Sequence, residues 1–186
     1  MTLLDTAQLG EHLNRFRRRL FRMEALPAYT VDSDGGDFER WLAGEPEPDW
    51  GRKQRWLDVL RAERAAGKVS SRVRILSEHL TDYERYACEW GYALNSTAGE
   101  EIRVLHRGEH HIPPGVIERD FWIADDDQVV AMYYDEHGRF EGAEVLPAVG
   151  LEVWRDARDA AWAAAEPFGQ WWARHPELHR KLVTCP

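Results

Sequence analysis

The densest run of functional groups in the chain is His106-Arg107-Gly108-Glu109-His110-His111. Imidazole and carboxylate are ligands for zinc and other transition metals. His106 and His110 stand four apart, but Gly108 and the following Pro113-Pro114 mark the stretch as a loop. The helical H-E-x-x-H pattern is absent. A polar surface loop is therefore the expected reading. No metal and no cofactor is expected, and His106, His110 and His111 are the candidate ligands if one is bound. A second group is acidic: Asp120, Asp125, Asp126, Asp127, Asp135 and Glu136. Paired carboxylates do acid–base work or hold divalent cations. At a hairpin turn, however, Asp is favoured for hydrogen bonding to its own backbone. Arg72, Arg74 and Arg103 form a third group. Arg72 and Arg74 alternate with Val73 and Ile75, and with Arg103 on a neighbouring strand they are expected to share one sheet face. Three guanidiniums there would bind an anion or pair with acidic groups across strands.

Nucleophile motifs are missing. There is no G-x-S-x-G elbow and no phosphate-cradling glycine loop. The remaining candidates are aromatic. Trp122, Trp171 and Trp172 are read as surface anchors for a partner, since two adjacent tryptophans are not expected to face one core.

The elements that must position these groups follow from periodicity. Asp5-Thr6-Ala7-Gln8 reads as a capping box. Leu9, Leu13, Phe16 and Leu20 then continue a helical stripe, with Arg15, Arg17, Arg18, Arg19 and Arg22 on the other helix faces. Residues 21–31 read as extended, an edge strand because of Pro27, and Asp32–Gly36 as a turn. A short helix follows from Asp37, then the stiff Gly44–Asp49 connection. Residues 52–66 form a helix with Trp56, Val59, Leu60 and Ala66 inward. Residues 72–76, 81–95 and 101–105 make a β-α-β unit with parallel strands, its helix opened by a capping box at Thr81–Glu84. Residues 121–124, 129–134 and 140–146 form an antiparallel meander. Phe121, Ile123, Val129, Ala131, Tyr133, Phe140, Ala143 and Val145 supply its buried face. A last helix starts near Ala148, and Pro167 kinks or splits it. The fold expected is α+β: a mixed five-stranded sheet with N- and C-terminal helices packed on it. Its single domain spans 1–186, with a helical part at 1–67, a sheet region at 69–146 and C-terminal helices at 148–186.

Bulk properties narrow the function. At 186 residues with nine Trp, six Tyr and six Phe, the chain buries a sizeable core. A net charge of −9 argues against sequence-independent nucleic-acid binding. No apolar run is long enough to span a membrane, and the N-terminus does not read as a signal peptide. Two cysteines, Cys88 and Cys185, do not make a disulfide framework. A cytoplasmic protein is expected, without membrane or direct nucleic-acid contact.

Several linked segments carry a family resemblance. These are Phe38 with Trp41-Leu42-Ala43-Gly44-Glu45-Pro46, Arg72–Glu78 with Leu80–Tyr83, Gly99–Leu105, Asp120-Phe121-Trp122 and Gly138-Arg139-Phe140. Over roughly Leu9 to Trp172 the chain resembles an actinobacterial family of unknown function, commonly encoded beside Xre-type helix-turn-helix regulators. The resemblance implies a regulatory or interaction role and brings no catalytic residues with it; the His106–His111 loop departs from the family's pattern. The reading leans away from an enzyme. It favours a regulatory protein that binds a protein partner, a helix-turn-helix regulator, with a small-molecule sensor on the Arg72/Arg74/Arg103 face as a variant. The alternative is a small enzyme or ligand-binding protein centred near the His106–His111 loop and Asp120.

Overall fold

The computed structural model describes residues 3–30 and 35–180. Most of the turn expected at Asp32–Gly36 lies outside the described residues, as does Cys185. The chain runs α1 (Thr6–Leu13), β1 (Arg19–Glu24), α2 (Asp37–Leu42), α3 (Trp50–Ala65) and β2 (Val69–Leu76). A composite helix follows: α4 (Asp82–Tyr86), a π-helical turn (Ala87–Tyr92) and α5 (Ala93–Ala98). Then come β3 (Glu101–His106), β4 (Phe121–Ala124), β5 (Gln128–Tyr134), β6 (Phe140–Val145), α6 (Leu151–Ala164), β7 (Glu166–Pro167) and α7 (Phe168–Arg174).

One open sheet of seven strands organises the fold, in the order β6-β5-β4-β1-β2-β3-β7. β1, β2 and β3 are parallel to one another, and the outer pairings are antiparallel. The β-α-β unit and the meander are where the periodicity predicts them. The two added strands correct the five-strand expectation. β7 is a two-residue pairing with β3 at the point where Pro167 splits the last helix.

β1 is the larger correction. The spacing of Leu9, Leu13, Phe16 and Leu20 fits a helix, but α1 stops at Leu13 and Arg19–Glu24 is the central strand, not an edge. Its alternation was masked by polarity. Phe21 and Met23 go to one face, while Leu20, Arg22 and Glu24 go to the other, and that second face is also covered. Arg15–Arg22 is consequently not a helix face.

The sheet has two different faces. One carries Phe21, Met23, Val73, Ile75, Leu105, Phe121, Ile123 and Val129 and packs against α6 through Leu151, Ala161, Trp154 and Trp162. The other is apolar at its two ends. Leu76, Ile102 and Val104 meet the π turn and α7, and Val130, Met132 and Ala143 lie under α1. Ala143 thus faces away from Phe121 and Ile123: it pairs with Met132, whereas Phe121 pairs with Ala131. Between those ends the second face is charged. Helix α3 crosses above it, burying Leu57 and Leu60 against Ala98. Trp56 and Val59, expected inward, are exposed, because α3 rests on α5 through its Leu57/Leu60 side.

Caps and turns follow local chemistry. Both capping boxes form, Asp5 with Gln8 and Thr81 with Glu84. Gly99 ends α5 at φ 109, where an added Cβ would meet Arg64 at 2.4 Å. Asp125 and Asp126 hold positive φ (51 and 63) in the β4–β5 turn, a conformation that Asp tolerates better than most residues.

Candidate functional site

The charged middle of the second sheet face forms the floor of a cleft. The parallel register sets Arg22 beside Arg72 and Glu24 beside Arg74. Glu24 accepts from Arg72 at 2.7 Å and from the Tyr92 hydroxyl at 2.8 Å, and Arg22 lies 3.0 Å from its other oxygen. Glu100 takes the Arg72 Nε at 3.0 Å and the Asn95 amide at 2.8 Å. Asn95 in turn accepts from Lys53 Nζ at 2.9 Å. Arg74 donates to Tyr29 Oη at 3.0 Å, and Tyr29 donates to Asp120 at 2.8 Å. Asp120 also accepts from the Ala25 amide and the Tyr134 hydroxyl.

One wall is α3, with Arg52, Lys53 and Trp56. The other is the composite helix, with Tyr83, Tyr86, Ala87, Trp90 and Gly91. The cleft is half open and holds about 280 Å³. The opening has a local cause. The π turn places Ala87 and Gly91 on the lining, and a Cβ built at Gly91 meets nothing within 4 Å. Such π turns inside α-helices recur at functional sites.

Electrostatics follow from this geometry. Burial alone would raise the Glu24 carboxyl, but the Arg22 and Arg72 guanidiniums hold it well below the usual carboxylate range. Burial pushes the Lys53 ammonium down to about 8, with Glu100 acting against it. Burial also raises Asp120, against the pull of Arg22. Cys88, buried in the π turn, is pushed up by burial, the direction that makes a thiol inert.

A hydrogen-bond account shows what the cleft lacks. Each oxygen of Glu24, Glu100 and Asp37 is already engaged by a donor or cation of the protein. The guanidiniums, by contrast, hold spare donors: Arg22 Nε is buried without a hydrogen-bond acceptor, and so are Nε and Nη2 of Arg74, which lies beneath the floor and does not line the cleft. Donors exceed acceptors here, and unmatched buried donors are costly.

The structure redistributes the residues singled out in the sequence. Arg72, Arg74, Asp120 and Trp122 do share one neighbourhood, and Arg22 lies over the Trp122 ring at 4.8 Å. Arg103 does not join them. It pairs with Val73 rather than with Arg72 or Arg74, so it points to the opposite face and donates to the Trp162 and Ala165 carbonyls. Trp171 is fully buried, which corrects its reading as a surface anchor. Trp171 and Trp172 both pack on the same cluster, because that cluster wraps around α7. His106 is buried between Glu109 and the Glu78 carbonyl, and its backbone amide donates to His110 Nδ1. That bond occupies one ring nitrogen of His110, and His111 is exposed. Among the described residues no group of three or more His, Cys, Asp or Glu side chains is arranged to hold a metal ion. Asp125 is occupied structurally, accepting from the Arg17, Arg18 and Arg19 amides.

Sequence reasoning missed Arg22, Glu24, Lys53, Asn95, Glu100 and Gly91. Two signals pointed to them. Arg22 and Glu24 alternate with Phe21 and Met23, and Ala87 and Gly91 put two small residues on one helix side.

Fold and cleft together define an α+β protein: an open seven-stranded mixed sheet with a polar, aromatic-walled cleft on one face. The chain belongs to the family described as Domain of unknown function (DUF6879), which matches residues 7–173. A comparison with curated proteins finds no match. No helix among the described residues is long and apolar enough to cross a membrane.

Proposed function

We propose that the chain is a regulatory protein that acts by binding, and that its cleft takes a small anionic ligand. The observation that carries this reading is the set of four cationic side chains, Arg22, Arg52, Lys53 and Arg72, that line one cleft. A ligand carboxylate or phosphate would meet the positive charge that Arg22, Arg52, Lys53 and Arg72 bring to the lining. Burying so many charges costs stability that an apolar core would not forfeit, so their presence calls for another use. The cleft volume sits just below the usual range for ligand sites, which favours a compact ligand.

The test is ligand-observed NMR with acetate, benzoate and inorganic phosphate, each against a neutral counterpart such as benzamide. Binding of anions but not of neutral counterparts is expected, and Gly91→Leu should abolish it by filling the cleft. Equal binding by neutral probes, or binding retained in Gly91→Leu, would sink the proposal.

A second reading concerns the partner. Val145, Val149 and Val153 are exposed where the edge strand β6 leads into α6, and Val149 is 90 % exposed. Together with the acidic meander, this corner suits a protein partner with a basic, partly apolar surface, such as a helix-turn-helix regulator. Affinity capture of tagged protein from native cytosol, with Val149→Asp/Val153→Asp as control, tests it. Capture of the same partner by both forms would remove this corner from the interface.

A further inference from the structure

The walls of the cleft say more than its floor. A chain of ring contacts runs along one side: Tyr134 to Tyr29 at 5.4 Å, Tyr29 to Tyr83 at 5.7 Å, Tyr83 to Tyr86 at 5.7 Å and Tyr86 to Trp90 at 6.1 Å. Four of these rings, Tyr29, Tyr83, Tyr86 and Trp90, line the cleft, and Trp56 faces the last three from α3. Trp56 is 45 % exposed, and no ring of the described residues stacks on it. An indole standing at the mouth of a cleft with its own face uncovered is out of keeping with this protein, where most large rings are paired. α3 buries its other side through Leu57 and Leu60, so packing of the helix does not require Trp56 to sit where it does.

Size and chemistry combine. The cationic floor and the aromatic walls line one half-open cleft of about 280 Å³. Arg22 also lies over the Tyr29 ring, 5.9 Å from its centroid, so charged and aromatic surfaces meet at the floor itself. Offset ring–ring contacts add to ordinary burial.

We infer that the cleft's ligand is a planar aromatic carboxylate, its acid group on the Arg22/Arg72 floor and its ring between Trp56 and the Tyr86/Trp90 wall. This rests on the anion-binding reading above and names the ligand class for the same cleft. No covalent step is involved, and the aromatic ring is what distinguishes the ligand from other small acids.

The experiment compares benzoate with cyclohexanecarboxylate, which carry the same charge on six-carbon rings and differ in flatness and π character. Dissociation constants are measured by ligand-observed NMR on the full chain, with benzamide as neutral control. The wild-type protein is expected to bind benzoate about three- to tenfold more tightly than its saturated counterpart, the range that one or two ring contacts supply. Trp56→Leu should narrow the gap between the two acids, leaving only the contribution of the Tyr86/Trp90 wall, while both still bind more tightly than benzamide. Trp56 is exposed, so this variant keeps the fold, and its far-ultraviolet circular dichroism confirms that. Equal affinity for the two acids in the wild type overturns the aromatic ligand and leaves the anion site standing. A preference for benzoate that survives undiminished in Trp56→Leu also overturns it, since the ring would then not rest on Trp56. If neither acid binds better than benzamide, the anion site itself is wrong and the aromatic ligand falls with it.

Discussion

The two faces of the sheet are built from the same strands and could hardly differ more. On β1, Phe21 and Met23 enter the α6 core while Arg22 and Glu24 enter the cleft. On β2, Val73 and Ile75 are fully buried on one side and Arg72 and Arg74 are nearly so on the other. A central strand covered on both faces ordinarily reads as a continuous apolar run. Here half of each strand departs from that rule. The comparison teaches that the α6 face supplies stability by apolar burial, while the cleft face spends some of it to hold a fixed constellation of charges.

The largest effect is expected on the α6 face. Phe121 is fully buried, 5.0 Å from the Trp154 ring and 5.9 Å from Phe21. Phe121→Ala should cost about 3–5 kcal/mol in urea unfolding. A loss below about 1 kcal/mol would break the claim that this face is the stability core. Arg72→Met tests the other side of the comparison. It leaves Glu100 buried without the cation that pairs with it and Glu24 with Arg22 alone, and a loss of about 3 kcal/mol is expected, near that for breaking a buried pair. The loss should shrink as pH falls and Glu24, whose charge Arg72 helps to hold, takes up a proton in the variant. A pH-independent loss would show that Arg72 acts through packing alone.

This contrast explains what could be read from the sequence and what could not. The β-α-β unit and the meander were legible because turns, caps and alternation agreed locally: Thr81 caps its helix, and the Asp125–Asp127 turn joins its strands. β1 was not, since Arg19-Leu20-Phe21-Arg22-Met23-Glu24 alternates as a strand should but carries charge on a face that polarity alone marks as solvent. Tertiary pairing with β2 and β4 overrode the helical spacing of Leu13, Phe16 and Leu20. The site was half legible for the same reason. Arg72 and Arg74 stood out by alternation within one strand. Arg103 was assigned to their face because the register between β2 and β3 is a long-range property, and a shift of one residue reverses a side chain. Glu24, Lys53 and Glu100 come from three separate segments and meet only through the fold.

A smaller effect is expected at the joint between the meander and β1. The Asp125 carboxylate accepts from the Arg17, Arg18 and Arg19 amides. Burial works against its charge, but those backbone donors lower it to about 2. A carboxyl lowered on folding contributes stability that is present above its unfolded value near 3.8 and lost as pH falls through about 2. The contribution is about 2 kcal/mol, so Asp125→Ala should cost about that much at pH 7, and the gap to wild type should close as the pH approaches 2. A gap that stays constant with pH would show that turn geometry, not the carboxylate, ties β4 to β1.

The smallest expected effect sharpens the comparison most. Arg74 lies on the same face as Arg72, two residues along, and is fully buried. Its Nη1 donates to Tyr29, its Nη2 is 3.7 Å from Glu84, and its Nε has no partner. Glu84 does not depend on it, since the Ser77 amide and hydroxyl and the Thr81 amide already donate to that carboxylate. Removing Arg74 therefore strands no bare buried anion, and methionine fills a similar length with atoms that need no acceptor. Arg74→Met should change stability by less than about 1 kcal/mol, in either direction, because a buried charge with incomplete partners is often replaced at no loss. Two arginines on one strand face would then differ by several-fold in what they contribute. Arg72 would be the cation that its carboxylates require, and Arg74 the one that the fold can do without. A loss as large as that of Arg72→Met would instead make the whole network a single structural unit. The charges of the cleft face would then be a requirement of the fold rather than a provision for a ligand.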